Sequence, residues 1–276
     1  MTARAPQFCL IDWAGRPVEI EHQWIEAGAS DGPLLVFLHE GLGSVSMWRN
    51  FPARLCERLG WQGLVYSRPG YGQSTPRPLD QALEPDFLER QAVEVLPAVL
   101  QALDVDGAQR PLWLLGHSDG GSIALIHAAR FAGSVAGLVV LAPHIMVEDI
   151  SVTSIARARE AYLGTDLRER LARHHRDPDS AFWGWNDVWL SPAFRDWSIE
   201  ALLPAISCPV LAVQGEQDEY GSLQQVFGIA RATSNTTVEV LADCGHSPHK
   251  DQASSLLDRV QRFVSENTAK CPVDKG

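Results

Sequence analysis

The run Pro111-Leu112-Trp113-Leu114-Leu115-Gly116-His117-Ser118-Asp119-Gly120-Gly121-Ser122 leaves this chain few ways to fold. Its apolar residues stop at Gly116, and Ile123-Ala124-Leu125-Ile126-His127-Ala128-Ala129-Arg130 continues with a helix-compatible composition. The middle therefore reads as a sharp strand-to-helix turn with Ser118 at its apex. A Gly-x-Ser-x-Gly turn strains the serine backbone, and Gly116 and Gly120 give room where side chains would collide with the neighbouring strand and helix. The turn also places backbone N–H groups at a helix N-terminus, where a developing oxyanion is stabilised.

A strand feeding such a turn needs neighbours of the same kind, and the chain supplies them. Residues 8–11 and 18–25 have strand character around Gly15-Arg16-Pro17 and suggest an antiparallel hairpin at a sheet edge. Leu34-Leu35-Val36-Phe37-Leu38 is a continuous apolar run, as expected of a strand buried on both faces, and it ends in His39-Glu40-Gly41-Leu42-Gly43-Ser44. The pattern then predicts a helix over 47–59 closed by Gly60, a strand over 63–66, and a turn-rich loop, Ser67-Arg68-Pro69-Gly70-Tyr71-Gly72-Gln73-Ser74. An amphipathic helix over 87–103 follows despite Pro97, and a buried strand over 135–141 succeeds the Ser118 turn and its helix. This β-α-β alternation is the signature of a parallel sheet with helices on both faces, whose ligands bind beyond the carboxyl ends of the strands.

From 144 to 206 the alternation stops. Helical stretches are predicted over 152–162 and 167–175, then a segment with Trp183, Trp185, Trp189 and Trp197, without any strand run. These residues read as a helical insertion, with 1–143 and 207–276 as the core. Strand character returns at Pro209-Val210-Leu211-Ala212-Val213, then come a helix over 223–233, a strand over 238–241, a helix over 252–263 and a polar tail, expected to fray, from Asn267 to Gly276.

Charge narrows the function classes. A formal net charge of −11 argues against nucleic acid or an anionic membrane as a partner, because either calls for a basic stripe. Residues 1–8 show no apolar signal region, and no run reaches the length of about 18 apolar residues that a membrane span needs. Five scattered cysteines (Cys9, Cys56, Cys208, Cys244, Cys271), an odd count, fit reduced thiols and a cytoplasmic location.

A serine hydroxyl is a weak nucleophile at neutral pH and needs a base oriented by a third group. Asp218 lies just past the strand that starts near Val210, and His246 just past the one near Val238. The chain order Ser118, Asp218, His246 suits a hydrolase of the strand-turn-helix type. Together with the His39 to Ser44 loop, the Arg68-Pro69-Gly70-Tyr71-Gly72-Gln73-Ser74 turn and Cys244-Gly245-His246, it makes nearly the whole chain resemble the α/β-hydrolase superfamily. The resemblance implies an α/β fold with a mostly parallel sheet of about eight strands and a helical cap inserted after the sixth. It further implies Ser118 as nucleophile, His246 as base and Asp218 as its orienting acid, with no metal or organic cofactor. The oxyanion hole would combine the N–H of Asp119 with that of Gly41, or of Leu42.

One departure concerns that loop, since the commoner family loop begins His-Gly and this one begins His39-Glu40. Glu40 either points away as a structural residue or points in to bind substrate or position water. His249 is the runner-up base and Asp149 an alternative acid. His174-His175 reads as a solvated helix end, and Glu216, Glu219 and Asp243 as solvated or capping residues. The tryptophan cluster reads first as cap core, with Trp183 and Trp185 as candidates for the substrate pocket. The expected activity is hydrolysis of a small carboxylic ester. Lactonase, thioesterase, C–C bond hydrolase and cofactor-free perhydrolase are the alternatives on the same residues, and a non-catalytic binding protein is the reading from another class.

Overall fold

Leu34–Leu38 is apolar at every position because both of its faces are covered. In the computed structural model, which describes residues 7–107 and 109–268, Leu34, Val36 and Leu38 belong to one apolar cluster and Leu35 and Phe37 to another. The described residues contain eight strands: β1 (Gln7–Trp13), β2 (Arg16–Ile25), β3 (Leu34–Leu38), β4 (Gln62–Tyr66), β5 (Leu112–His117), β6 (Gly137–Leu141), β7 (Val210–Gly215) and β8 (Thr236–Leu241). They form one sheet in the order β1-β2-β4-β3-β5-β6-β7-β8. The β1-β2 and β2-β4 pairs are antiparallel and the rest parallel, so the hairpin expected at the edge is present.

The same two-sided alternation runs through β5, where Leu112 and Leu114 face one cluster and Trp113 and Leu115 the other. Ten helices lie between or beside the strands among the described residues. They are α1 (Phe51–Leu59), α2 (Phe87–Arg90), α3 (Leu96–Ala102), α4 (Asp119–Arg130), α5 (Asp149–Gly164), α6 (Leu167–Leu171), α7 (Pro178–Leu190), α8 (Gln224–Ala232), α9 (Pro248–Asp251) and α10 (Ala253–Thr268). Leu55 and Cys56 of α1 and Leu256, Leu257 and Val260 of α10 cover one face; Val99 of α3, Ile123 of α4 and Val226 of α8 cover the other. None of these helices is long and apolar enough to cross a membrane.

Several boundaries differ from the sequence expectation for local physical reasons. The helix expected over 47–59 is a 3-10 turn at Val45–Trp48 followed by α1, separated at Arg49, whose φ of 54° leaves the helical region. Pro52 stands in the first turn of α1 and Gly60, at φ 66°, closes the helix, as their backbone preferences favour. The helix expected over 87–103 contains a π turn at Gln91–Val95, which ends two residues before Pro97. Proline has no N–H to close the ordinary four-residue bond, and the wider turn accommodates its absence. The strand expected over 135–141 begins at Gly137, and β8 begins two residues earlier than expected. The last helix runs on through Thr268; the expected tail beyond it, with Cys271, and residues 1–6 lie outside the described residues.

Between β6 and β7 the described chain is helical, with α5, α6, α7 and short 3-10 turns at Pro192–Phe194 and Leu203–Ala205. Its one β-type pairing is an isolated bridge between Met146 and Ser198. Ile155, Phe182 and Trp189 of this segment join the apolar cluster on the α4 side of the sheet.

Burial on both faces makes each β5 position costly to shorten. Leu114→Ala and Leu115→Ala should each lower unfolding free energy by about 2–5 kcal/mol in urea titrations. A cost below about 1 kcal/mol at either position would contradict the two-faced packing.

Candidate active site

Ser118 stands between β5 and α4 with φ 52° and ψ −119°, a region that residues with side chains rarely adopt. Such a conformation costs on the order of 1–3 kcal/mol and persists only when its surroundings hold it. Here the Ser118 N–H donates to the Leu141 carbonyl of β6 at 2.9 Å, and the Ser118 carbonyl accepts from the Gly121 N–H at 2.8 Å. The two glycines permit the close approach. A Cβ on Gly116 would come within 2.1 Å of the Gly120 carbonyl oxygen, and one on Gly120 within 2.0 Å of the Leu38 carbonyl oxygen on β3.

Asp218 and His246 arrive from the loops after β7 and β8. The His246 Nδ1–H donates to Asp218 Oδ1 at 2.8 Å, and the same oxygen accepts from the Tyr220 N–H at 2.9 Å. Asp218 Oδ2 accepts from Gln214 Nε2 at 3.1 Å. Burial pushes the Asp218 carboxyl up, but the hydrogen bond and charge of His246, with the Tyr220 N–H, outweigh it and hold the pKa below the ordinary value. The His246 backbone is fixed as well: its carbonyl accepts from His117 Nε2 at 2.6 Å and its N–H donates to Glu219 Oε2 at 3.2 Å. The imidazole packs beside the Tyr220 and His117 rings, at 4.7 and 5.1 Å between centroids.

Ser118, Asp119, His246, Gly41 and Leu42 line one cavity of about 120 Å³. The loop after β3 reaches it because the Arg68 N–H donates to His39 Nε2 at 3.0 Å, which fixes the proton on Nδ1, and Nδ1 donates to the Glu40 carbonyl at 2.7 Å. Gly41 has no room for a side chain, since a Cβ there would lie 2.2 Å from Trp185 Nε1. Glu40 borders the cavity, but its carboxylate turns to His117 Nδ1 and Lys250 Nζ, each at 3.5 Å. Burial raises the Glu40 pKa, yet contact with His117 and the charge of Lys250 and its neighbours prevail, so the carboxyl stays well below the usual range.

Trp185 lines the cavity as expected, whereas Trp183 does not. Residues two apart on a helix point about 200° away from each other, so only one of the pair can face the cavity. Trp183 packs instead on Tyr162 and Phe182. Trp189, one turn on from Trp185, shares its face, and its Nε1–H donates to Asp119 Oδ1 at 3.2 Å. Helical spacing from Trp185 would have found it. His144, just past the end of β6, also lines the cavity, as do Tyr220, Ile155 and Ser247. His144 could have been found by its place after a strand, and Tyr220 by its nearness to Asp218; nothing in the sequence marks Ile155.

The other candidates lie elsewhere. His249 packs against Trp48, Phe51 and His117 outside the cavity lining, and Asp149 is exposed and paired with Arg195. His175 is a correction: it is buried, not a solvated helix end, because α6 stops at Leu171 and the chain turns inward. Its Nδ1 accepts from the Gly72 N–H at 2.9 Å and its Nε2–H donates to the Leu42 carbonyl at 3.0 Å. His174 bonds to Ser46 Oγ at 2.9 Å. Asp243 has a φ of 50°, and Glu219, expected to be solvated or capping, is exposed and accepts from the His246 N–H.

A model of the alpha/beta hydrolase family matches residues 35–259. The chain is 34% identical over 275 residues to 2-succinyl-6-hydroxy-2,4-cyclohexadiene-1-carboxylate synthase of Yersinia pestis, covering 87% of this chain and 90% of that protein. It is 29% identical over 209 residues to the mouse serine hydrolase BPHL, covering 71% of this chain and 66%, just under two thirds, of the relative's length. Among solved structures, proline iminopeptidase of Mycobacterium smegmatis superposes with a TM-score of 0.73 at 18% identity, over 95% of this chain and 98% of that one.

The buried imidazoles contribute to the acid response of the fold. Burial pushes His175 down to about 4 and His144 down to about 3, so the unfolded chain takes up protons on both from about pH 6.5 downward before the folded chain does. Their stabilisation is complete above that pH and is lost as pH falls toward the folded values. Thermal unfolding followed between pH 7 and 4.5 should show a falling midpoint, with a shallower fall in His175→Gln. A flat native profile would contradict the neutral, buried assignment.

Proposed function

The chain belongs to the alpha/beta hydrolase family, and from that premise we propose that it hydrolyses small carboxylic esters through an acyl-enzyme formed on Ser118. The observation that carries the reading is the hydrogen bond from His246 Nδ1 to the buried Asp218 carboxylate, made by an imidazole that shares a cavity with Ser118. With Nδ1 protonated, Nε2 is left as the basic nitrogen.

In this reading Ser118 Oγ attacks the ester carbonyl while His246 Nε2 takes its proton, and Asp218 stabilises the imidazolium. That proton then passes to the departing alkoxide as the carbon–oxygen bond breaks. Water attacks the acyl-enzyme, gives a proton to Nε2, and the carboxylic acid leaves as Ser118 is reprotonated. The oxyanion of each tetrahedral intermediate lies against the N–H groups of Asp119 and Gly41, with Leu42 as the further candidate. Hydrogen bonds between serine and imidazole in such sites commonly tighten only in the substrate complex.

The cavity suits a small substrate. An engineered cavity of about 150 Å³ holds benzene, so the space here takes an acyl or alcohol group of about that bulk. Trp185, Trp189, Ile155 and Leu42 favour an apolar group. Residues 144–206 act as the cap of a core made from 1–143 and 207–276, a reading supported by Ile155, Trp185 and Trp189 closing over the serine. A cytoplasmic location is part of the proposal, supported by the free thiols of Cys9, Cys56, Cys208 and Cys244 among the described residues. The synthase relative is named for a reaction other than ester hydrolysis, which keeps open a second reading in which the same three residues act on a lactone, thioester or carbon–carbon bond, or in perhydrolysis. A substrate panel decides between them.

Ser118→Ala should lower turnover of p-nitrophenyl acetate by at least about 10³-fold with the unfolding midpoint little changed. Turnover that survives in the folded variant would rule out the serine. Gly41→Ala, which drives a methyl group into Trp185, should cost kcat about 10²-fold, on the scale of losing one oxyanion donor. A Gly41→Ala enzyme with native kcat would remove Gly41 from the oxyanion hole.

A further inference from the structure

Arg68 lies in the loop after β4 with 1% of its surface exposed. Its Nη2 donates to the Glu40 carbonyl at 2.9 Å and lies 3.5 Å from Asp119 Oδ2. These two contacts reach the two chain segments whose N–H groups serve as oxyanion donors in the reading above. We propose that Arg68 is a positioning residue that holds both halves of the oxyanion hole in register. The inference rests on that reading of Ser118 and extends it to the residue that aims the donors.

Peptide geometry makes the first half of the case. The described chain has no cis peptide bonds, and in a trans peptide the N–H points opposite to the preceding carbonyl. Glu40 and Gly41 share such a peptide. Its oxygen accepts from His39 Nδ1 at 2.7 Å, from Arg68 Nη2 at 2.9 Å and from the Gly43 N–H at 3.0 Å, so the direction of the Gly41 N–H is set by three donors on the far side, of which Arg68 is the one that also reaches Asp119. Burial keeps His39 neutral with its pKa well below the ordinary value, and its Nε2 is already taken by the Arg68 N–H. The side chain and backbone of Arg68 therefore both act on one peptide plane.

Asp119 supplies the second half. Its carboxylate is fully buried, accepts from Trp189 Nε1 at 3.2 Å on one oxygen, and faces Arg68 with the other. Burial pushes its pKa up, and the Arg68 charge works against that rise. A buried ion pair is weak evidence for stability, because desolvation of both groups offsets most of the attraction. This pair instead joins the residue after the nucleophile to the loop after β3. An arginine can do so with a rigid planar fork, whereas a lysine is a single point charge on a flexible stem. The Arg68 plane is steadied by Tyr71, whose ring centroid is 4.6 Å from Cζ.

The test is steady-state hydrolysis of p-nitrophenyl acetate by Arg68→Lys and Arg68→Met beside the native protein and Ser118→Ala. Both Arg68 variants should lose kcat by about 10- to 100-fold, with KM within about threefold, because the donors act on the transition state more than on bound substrate. Arg68→Lys keeps a positive charge opposite Asp119, so its unfolding midpoint in urea should stay near native and the variant reads positioning separately from folding. A folded Arg68→Lys with kcat within about threefold of native, or a loss that falls wholly in KM, overturns the inference while leaving the Ser118 reading intact. Turnover that survives Ser118→Ala overturns both.

Discussion

The structure depends on a backbone approach so close that side chains are excluded from it. Leu38 of β3 lies against Gly120, and Gly120 against Gly116, at separations where a Cβ would sit about 2 Å from a carbonyl oxygen. Only glycine meets that demand, and its result is that Ser118 is held at φ 52° at the carboxyl end of the central strand. The strain is sustained by neighbours: the Ser118 N–H bonds to β6, so the turn cannot relax without loosening the sheet. Position and exposure of the hydroxyl follow from packing of the main chain more than from any side-chain contact.

The helical segment between β6 and β7 is tied to the core at points that border the cavity. His175 bridges the Gly72 N–H and the Leu42 carbonyl, the Arg176 N–H donates to the Gly72 carbonyl at 2.7 Å, and Trp189 bonds Asp119. On the other side Ser151 Oγ and Ser154 Oγ donate to the Tyr220 and Glu219 carbonyls, in the loop that carries Asp218. The same segment thus lines the cavity beside Ser118 and touches the loops that carry Asp218 and Leu42. Shape of the cavity and alignment of its polar groups are consequently coupled through shared contacts.

Much of this was legible in the residues alone, for a physical reason that also marks the limit. The strand runs are apolar on both faces, and the Gly-x-Ser-x-Gly turn is a local demand, so the sheet and the place of Ser118 could be read from neighbours in sequence. Asp218 and His246 could be read because they stand just past strand ends. Trp183 falls outside the cavity lining because helical phase, rather than residue type, decides which tryptophan faces inward. His175 was misread because its partners, Gly72 and Leu42, are distant in the chain and both offer only backbone groups. Arg68 read as part of a turn, since nothing local shows that its guanidinium reaches back to Glu40 and across to Asp119.

Three loops after three parallel strands bring a hydroxyl and an imidazole to one small cavity and set a carboxylate behind the imidazole, and the proposed chemistry requires the three to act as one unit. Mass mapping of the intact native protein after exposure to diisopropyl fluorophosphate tests that requirement most directly. A single adduct on the peptide carrying Ser118, absent when His246 is replaced by alanine, is the predicted result. A folded protein left unmodified at Ser118, or modified there equally well without His246, would contradict it.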